Sequence, residues 1–517
     1  MINLDLFVRR ILVGIFVLCT TAQAQRHFLS IEDLEEFYDL EEKLVKTFTT
    51  YLEEQKQILQ AVSQHYEEQQ KHQPKINNPD EYLGNPLNVH ALLKRLVNDW
   101  PLTLVMVGGA IADEEDELID LPNIDDYYAA VHSIARLQQV YGYSIEALVY
   151  GSPFHGTDNT SLLTVDDCLA VGKDLFKNHH YHLAVDWFKE ALAQAANKTK
   201  EKNVLATKES DYETFVPEMG QIYEYTALAI CFTGDEKLAR KYFKKLYHEF
   251  PEFRPTQELI KDHLLAINDT CKKLTDNESL KPIDHRLQLA WEEDAQLSSN
   301  YSKLCRAKSS PSKTLRCHLG GQEDPRWLLR PFKIEYLHLK PDVYLTYDVI
   351  HQTESEFLMR EMIDDSKKSG YTNLIGRVQQ YWGPLPANSS VSESLLLRAN
   401  WIAAANMHNT LEQTYLSAFP PGGELLIDRD IYLTETEDEP EDISRHGSTM
   451  FFLQQPQAGG LMAFPYLGLA VAPVAGAALT YLNVDEEENI YENMVWGSCP
   501  VIQGRKTTLN MWFQRFR

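Results

Sequence analysis

Gly459-Gly-Leu-Met-Ala-Phe-Pro-Tyr-Leu-Gly-Leu-Ala-Val-Ala-Pro-Val-Ala-Gly476 and, after a spacer, Cys499-Pro-Val-Ile-Gln-Gly-Arg-Lys506 decide how the last third of the chain folds. From Tyr415 onward, short runs rich in aromatic and β-branched residues alternate with Gly/Pro turns of this kind, the texture of a β-sandwich or jelly roll. Lys333-Ile-Glu-Tyr-Leu-His-Leu339 and Val343-Tyr-Leu-Thr-Tyr-Asp348 read as two further strands, and Glu354 to Lys367 as a helix.

Upstream of these strands the pattern is helical. Ala184-x3-Phe188 and Ala239-x3-Phe243 each fit the A-x3-F element of a tetratricopeptide repeat, and Pro251 closes the second unit. Their offset exceeds the repeat period of about 34 residues by the length of a polar segment, Ala196 to Val216, which reads as an inserted loop. Tyr181, Trp187, Tyr223 and Tyr225 fall in or near these units. Rigid aromatic faces suit a proline-rich ligand, whose preformed polyproline-II helix loses little entropy on docking, while periodicity favours the same rings as repeat core. Leu34, Phe37, Leu40, Leu44, Phe48, Leu52 and Ile58 recur at helical steps, predicting a long amphipathic helix or short coiled coil over 31–66. Helices are also predicted over 89–100 and 125–141.

The chain has 517 residues and a formal charge of −26, which argues against a phosphate-backbone binder. Hydrophobic residues at 44% and charged residues at 24% exclude global disorder. Arg9-Arg10, the apolar run Ile11 to Leu18 and Ala22-Gln23-Ala24 make a secretory signal peptide, too short for a membrane span. Sequons stand at Asn159, Asn197, Asn268, Asn277, Asn300 and Asn388, each a weak signal alone. Cys305 and Cys317 close a short polar loop and are the expected disulfide pair. Acidic runs at 113–117, 435–439 and 485–488 read as solvated loops rather than Ca²⁺ sites.

The C-terminal third resembles the catalytic domain of 2-oxoglutarate- and Fe(II)-dependent prolyl 4-hydroxylases. Gly459 to Pro465 is similar to that family's G-G-x-T-x-F-P, and Gly468-x-x-Val471-x-Pro473-x-x-Gly476 to the turns after it. Cys499 to Lys506 with Asn510-x-Trp512 is similar to C-P-V-x-x-G-x-K followed by N-x-W. The order of helical region, tetratricopeptide-like module, Tyr301-x-x-Leu-Cys-Arg306 element and terminal β-region resembles the α subunit of collagen prolyl 4-hydroxylase along the whole chain after residue 24. The resemblance implies Fe(II), 2-oxoglutarate and ascorbate as cofactors and 4-hydroxylation of proline in procollagen-type peptides as the reaction. It also implies protein disulfide isomerase as β subunit, self-association through the N-terminal region, and the endoplasmic reticulum lumen as location. The chain ends Trp512-Phe-Gln-Arg-Phe-Arg517 with no KDEL-type signal, so the partner is expected to supply retention.

The pattern breaks at the metal. The family holds iron through two His and one carboxylate, with H-x-D on one strand and a distal His three residues before C-P. Here the corresponding run is Gly422-Gly-Glu-Leu425-Leu-Ile-Asp428-Arg-Asp430: Asp430 retains the carboxylate and Asp428 stands at the first His position. Trp496 stands at the distal His position, and an indole nitrogen is a donor only. Two carboxylates without imidazole favour harder ions such as Mg²⁺, Mn²⁺ or Ca²⁺. His408 and His446 are the nearest imidazoles and are expected to serve local hydrogen bonds. Asp428-Arg-Asp430 is also a D-x-D, too short to indicate a glycosyltransferase. Phe419 replaces the tyrosine of N-Y-G and Met462 a threonine, leaving Lys506 to meet the far carboxylate of 2-oxoglutarate as a point charge. The family's partner for the C-P-V cysteine lies beyond it, so Cys499 is expected to lack that partner. Tyr181 and Tyr225 match peptide-binding tyrosines of the family, while His182, Leu228 and Cys231 stand at other tyrosine positions.

The expected chain is therefore multidomain α + β: signal peptide 1–24, helical or coiled-coil assembly region 25–155, tetratricopeptide-like peptide-binding module 156–255, helical connector 256–324, and a double-stranded β-helix (jelly roll) over 325–517. The expected function is a prolyl 4-hydroxylase α-subunit-like protein with impaired catalysis, binding proline-rich or collagen-like peptides. An active dioxygenase with an unusual ligand set and a pure peptide-binding module are the alternatives.

Overall fold

The computed structural model describes residues 31–72, 78–101, 122–154, 160–205, 219–250, 295–307, 317–322, 324–369, 372–375, 378–403, 414–430, 445–487 and 489–513. The signal-peptide segment, Cys271, His408, the sequons at 159, 268 and 277, and the acidic runs 113–117 and 435–439 lie outside them. Residues 31–72, 91–101 and 122–127 fall in one compact unit, and 78–90 with the described residues from 128 onward in another. The second unit thus takes in the segments expected as module, connector and β-region. Among the described residues no helix is long and apolar enough to cross a membrane.

In chain order the helices are α1 (Ile31–His72), α2 (Pro79–Leu83), α3 (Pro86–Lys94, continued by a π-turn, Arg95–Asp99), α4 (Ile124–Tyr141), α5 (Ile145–Val149), α6 (Val165–Lys177), α7 (Tyr181–Leu205), α8 (Met219–Phe232), α9 (Glu236–Glu249) and α10 (Ala295–Arg306). The apolar stripe of α1 lies on the surface: Leu40, Leu44, Phe48, Leu52 and Ile58 are all exposed. Thr164 and Asp167 form a capping box that starts α6, with the Thr164 amide donating to Asp167 Oδ2 at 2.8 Å. Successive helices from α6 to α9 pack on one another. Ala184, Phe188, Ala239 and Phe243 are buried between them, and a Cβ on Gly172 would meet the Phe188 ring at 2.4 Å. The segment expected as a loop from Ala196 stays helical to Leu205, because its Ala, Lys and Glu are strong helix formers.

The remaining elements are β1 (Cys317–Gly320), β2 (Phe332–His338), β3 (Val343–Tyr347), α11 (Gln352–Ser369), β4 (Thr372–Ile375), β5 (Val378–Trp382), α12 (Ser390–Ala403), β6 (Tyr415–Phe419), β7 (Leu425–Asp428), β8 (Gly447–Gln454), β9 (Ala458–Gly459), β10 (Met462–Phe464), β11 (Leu469–Val471), β12 (Ala478–Leu482), β13 (Trp496–Ser498), β14 (Val501–Gln503) and β15 (Lys506–Phe513). They make a nine-stranded sheet of order β1-β2-β3-β12-β8-β15-β6-β5-β4, a four-stranded sheet β11-β10-β13-β7, and the pair β14-β9. Pairing is antiparallel throughout.

The central strand β15 shows how side-chain alternation builds the layers. Leu509, Met511 and Phe513 join Phe451 and Leu453 of β8 in a core with Leu358 and Met362 of α11 and Leu395, Ala399 and Ile402 of α12. On the opposite face of the large sheet, Met450, Phe452, Leu479 and Tyr481 pack against Met462, Phe464 and Trp496 of the small sheet. Each fully buried large side chain in these layers contributes about 1.5–3 kcal/mol.

Behind the small sheet, α10 and the end of α4 form a third layer: Val140, Leu297, Tyr301 and Cys305 cluster with Ile427, Ala463, Val495 and Cys499. Polar contacts fix this layer. Arg136 Nε donates to Glu424 Oε1 at 2.6 Å and Nη2 to Oε2 at 3.2 Å, with both side chains nearly buried. Tyr141 Oη donates to Pro500 O at 2.6 Å, Tyr301 Oη to Ser498 O at 3.0 Å, and Arg306 Nε to Val140 O at 2.6 Å. Here the expected disulfide is corrected: Cys305 pairs with Cys499, not Cys317. Cys305 ends up in the third layer facing β13, whereas Cys317 opens the exposed edge strand β1 and is free. Cys499, expected to lack the family's later partner, is bridged instead to a cysteine earlier in the sequence.

Removing Glu424 strands a buried guanidinium. Glu424→Ala is expected to destabilise the chain by about 3–5 kcal/mol in urea unfolding, and Arg136→Met with Glu424→Leu to recover most of that loss.

Candidate functional site

The small sheet brings the two substituted positions together. β7 and β13 run antiparallel with Asp428 directly opposite Trp496. Asp428 ends β7 exposed, and its Oδ1 accepts the Arg429 amide at 2.7 Å. Asp430, two residues on, is half-buried. Its Oδ2 accepts from Ser448 Oγ at 2.8 Å, from the Trp496 indole Nε1 at 3.3 Å, and from Tyr481 Oη in a short bond. Burial, reinforced by the Asp430 charge, holds the Tyr481 hydroxyl far above its ordinary pKa, so it stays a donor. Tyr481 and Trp496 are themselves in contact, ring centroids 5.9 Å apart.

This arrangement does not fit an Fe(II) centre. One oxygen of the retained carboxylate, Oδ2, is met by three protein donors, and one of them, the indole, stands in the position where the resemblance implies an imidazole ligand. His446 is buried at the start of β8. Among the described residues no three His, Cys, Asp or Glu side chains gather to hold a metal ion.

The second expected anchor, Lys506, is fully buried. Its ammonium donates to Gly460 O at 3.1 Å, to Ser498 Oγ in a short bond, and to Met462 Sδ at 3.7 Å, while lying 4.0 Å from the centre of the Phe419 ring. The ammonium's three donors are thus directed at protein atoms, two of them on Ser498 and Met462. Lys506 therefore does not present the unoccupied donors that the carboxylate of 2-oxoglutarate requires. Burial pushes its pKa down to about 7.

Tyr481, Ser448 and Ser498 were not among the residues singled out by sequence. Only spacing to known motifs marked candidates there, and these three act across strands. Arg445, also unflagged, stacks its guanidinium 3.6 Å from the Trp512 ring and sends Nη1 to Asp430 O at 3.4 Å. Trp512 continues into a ring stack with Tyr415 (4.9 Å), and Tyr415 with Trp382 (4.6 Å).

On the helical side, Tyr181 and Tyr225 flank Phe176, which meets both edge-on at 5.4 and 5.8 Å. Phe232 stacks on Tyr181 at 4.6 Å, and Lys173 Nζ lies 4.9 Å over Tyr225. All four rings are half-buried. Glu224, next to Tyr225, is pushed up to about 7 by burial, against the opposing charge of Lys173. Two rings considered for this face belong to the core instead. Trp187 is fully buried and donates to Gln138 Oε1 at 2.6 Å, and Tyr223 is buried beside Phe250. Cys231 is disulfide-bonded and buried.

Two measurements follow from these contacts. Trp496→Phe and Tyr481→Phe each remove a donor from Asp430 and are expected to cost about 1–3 kcal/mol in denaturant unfolding. For Lys506 the sign is set by its lowered folded pKa. Below pH 7 both states carry the proton, and between about pH 7 and 10 the unfolded chain binds more, so stability rises with pH. The melting temperature of wild type relative to Lys506→Met is expected to climb from about pH 6.5 to about pH 9; a flat difference would contradict a lowered Lys506 pKa.

Comparison with known proteins now bears on this geometry. Residues 30–154 match the family model for the prolyl 4-hydroxylase alpha-subunit, N-terminal region. Prolyl 4-hydroxylase subunit alpha-1 of Bos taurus is 23% identical over 520 residues, covering 95% of this chain and 94% of its own. The Gallus gallus subunit alpha-1 is 25% identical over 469 residues, covering 85% and 87%. Among solved structures, the viral collagen prolyl hydroxylase of Paramecium Bursaria Chlorella virus-1 in complex with 2OG is similar at 20% identity and a TM-score of 0.28, covering 34% of this chain and 96% of its own. With its N-terminal region matched by that family model and nearly its whole length aligned at 23–25% identity, the chain is similar to prolyl 4-hydroxylase alpha subunits throughout.

Proposed function

We propose that this chain is a non-catalytic prolyl 4-hydroxylase α-subunit-like protein, retained for binding and assembly. The observation that carries the reading is the Asp430 carboxylate, capped by Ser448, Tyr481 and Trp496 where the family reaction needs a metal ligand set. Lys506, bonded to Gly460, Ser498 and Met462, supports the same conclusion for 2-oxoglutarate. In this reading the two facing antiparallel sheets are a double-stranded β-helix that serves as a scaffold, and α6 to α9 are two tetratricopeptide-like units. The Tyr181–Phe176–Tyr225 face binds proline-rich or collagen-like peptide, and the exposed stripe of α1 serves self-association. The kinship with alpha subunits supports protein disulfide isomerase as partner and the endoplasmic reticulum lumen as location.

The purified complex is expected to bind no stoichiometric iron, and to show no 2-oxoglutarate turnover with Fe(II), ascorbate and a (Pro-Pro-Gly)-type peptide. Coupled hydroxylation that Asp430→Ala abolishes would overturn the reading. Asp428→His with Trp496→His is expected to gain Fe(II) binding, and to gain turnover only when Ser498→Ala and Met462→Thr also free Lys506. Peptide binding is tested on the full chain: Tyr181→Ala is expected to weaken polyproline binding by about 1–3 kcal/mol, the scale of a buried aromatic contact.

A further inference from the structure

We infer that Asn388 is an N-glycosylation site of the folded chain. Six sequons are present, and the described residues separate three of them. Asn388-Ser389-Ser390 lies between β5 and α12, with Asn388 exposed in a turn at φ +55°. Left-handed backbone is a conformation that asparagine adopts at tight turns, and it projects from an element boundary rather than from within one. Among the described residues the Asn388 side chain makes no hydrogen bond, so its amide is not committed to the fold.

The two serines after it divide the work. Ser389 Oγ caps α12, accepting the amides of Val391 at 3.2 Å and Ser392 at 3.5 Å. Ser390, the residue the sequon requires, is exposed and makes no side-chain hydrogen bond among the described residues. Helix α12 is held from its other face by Leu395, Ala399 and Ile402, so a bulky polar group at residue 388 disturbs no packing.

The other described sequons are worse placed. Asn300 is half-buried within α10, immediately before the fully buried Tyr301 and one turn from the bridged Cys305. Asn197 is exposed but lies inside α7.

The chemistry needs a lipid pyrophosphate-linked oligosaccharide as co-reactant. The Asn388 Nδ2 forms a bond to sugar C1 as the C1–O bond to pyrophosphate breaks; the lipid pyrophosphate leaves and the amide gives up one proton. This inference rests on the lumenal reading above.

The test expresses the full chain through the secretory pathway of a eukaryotic cell, with a reporter sequon on a flexible C-terminal tag. Peptide mass spectrometry after glycan removal then scores each site. The expected result is occupancy at Asn388 and at the reporter, little or none at Asn300, and a gel shift of one glycan lost in Asn388→Gln. A bare Asn388 beside an occupied reporter would overturn the inference alone. A bare reporter would overturn the lumenal reading and the glycan with it.

Discussion

A half-buried carboxylate oxygen must be met by a cation or by hydrogen-bond donors, and at Asp430 the donors come from the protein. Ser448 on β8, Tyr481 on β12 and Trp496 on β13 converge on one oxygen, Oδ2. Those strands belong to both sheets, so the same three bonds join the large sheet to the small one. An indole in place of an imidazole does more than remove a ligand. It reverses the polarity of the contact, from a lone pair aimed at a metal to an N–H aimed at the residual carboxylate.

Lys506 answers the opposite problem. A fully buried ammonium is costly unless its donors are matched, and Gly460 O, Ser498 Oγ and Met462 Sδ match them, with the Phe419 ring lying against the charge. The two charged groups are thus retained by local compensation. Deleting either one would orphan the groups that now bond to it, a penalty of about 1–3 kcal/mol for each buried partner. That asymmetry ties Asp430 and Lys506 to the groups that now surround them.

Much of this was legible from residue order. The strand runs 333–339 and 343–348, the helix 354–367 and the helical periodicities in 31–66 and 125–141 all correspond to observed elements, because local spacing fixes which face a side chain occupies. Asp428, Trp496 and Lys506 could be placed by motif spacing alone. Ser448, Tyr481 and Ser498 could not, since their roles depend on cross-strand register, which no single stretch encodes. The disulfide was misread for a related reason. Cys305 and Cys317 are near in sequence, but α10 turns Cys305 inward against β13 while Cys317 starts an exposed edge strand. Trp187 and Tyr223 take the repeat-core option of the two that the sequence left open, because aromatic content does not distinguish a binding face from a helix interface.

The register of β7 and β13 has a physical basis outside the site. β7 and β13, the strands that carry Asp428 and Trp496, are clamped from behind as well as capped in front. Glu424, immediately before β7, is held by Arg136; Ser498 O, at the end of β13, by Tyr301; and Cys499, the next residue, by Cys305. These contacts reach α4 and α10, elements far away in sequence, and they fix both strand ends without reference to anything bound between the sheets. A strand pair fixed at the rear keeps its register when a ligand in front is lost. Substitutions facing the interior then need only satisfy one carboxylate and one ammonium, and the indole, the phenol and the serine hydroxyls do so.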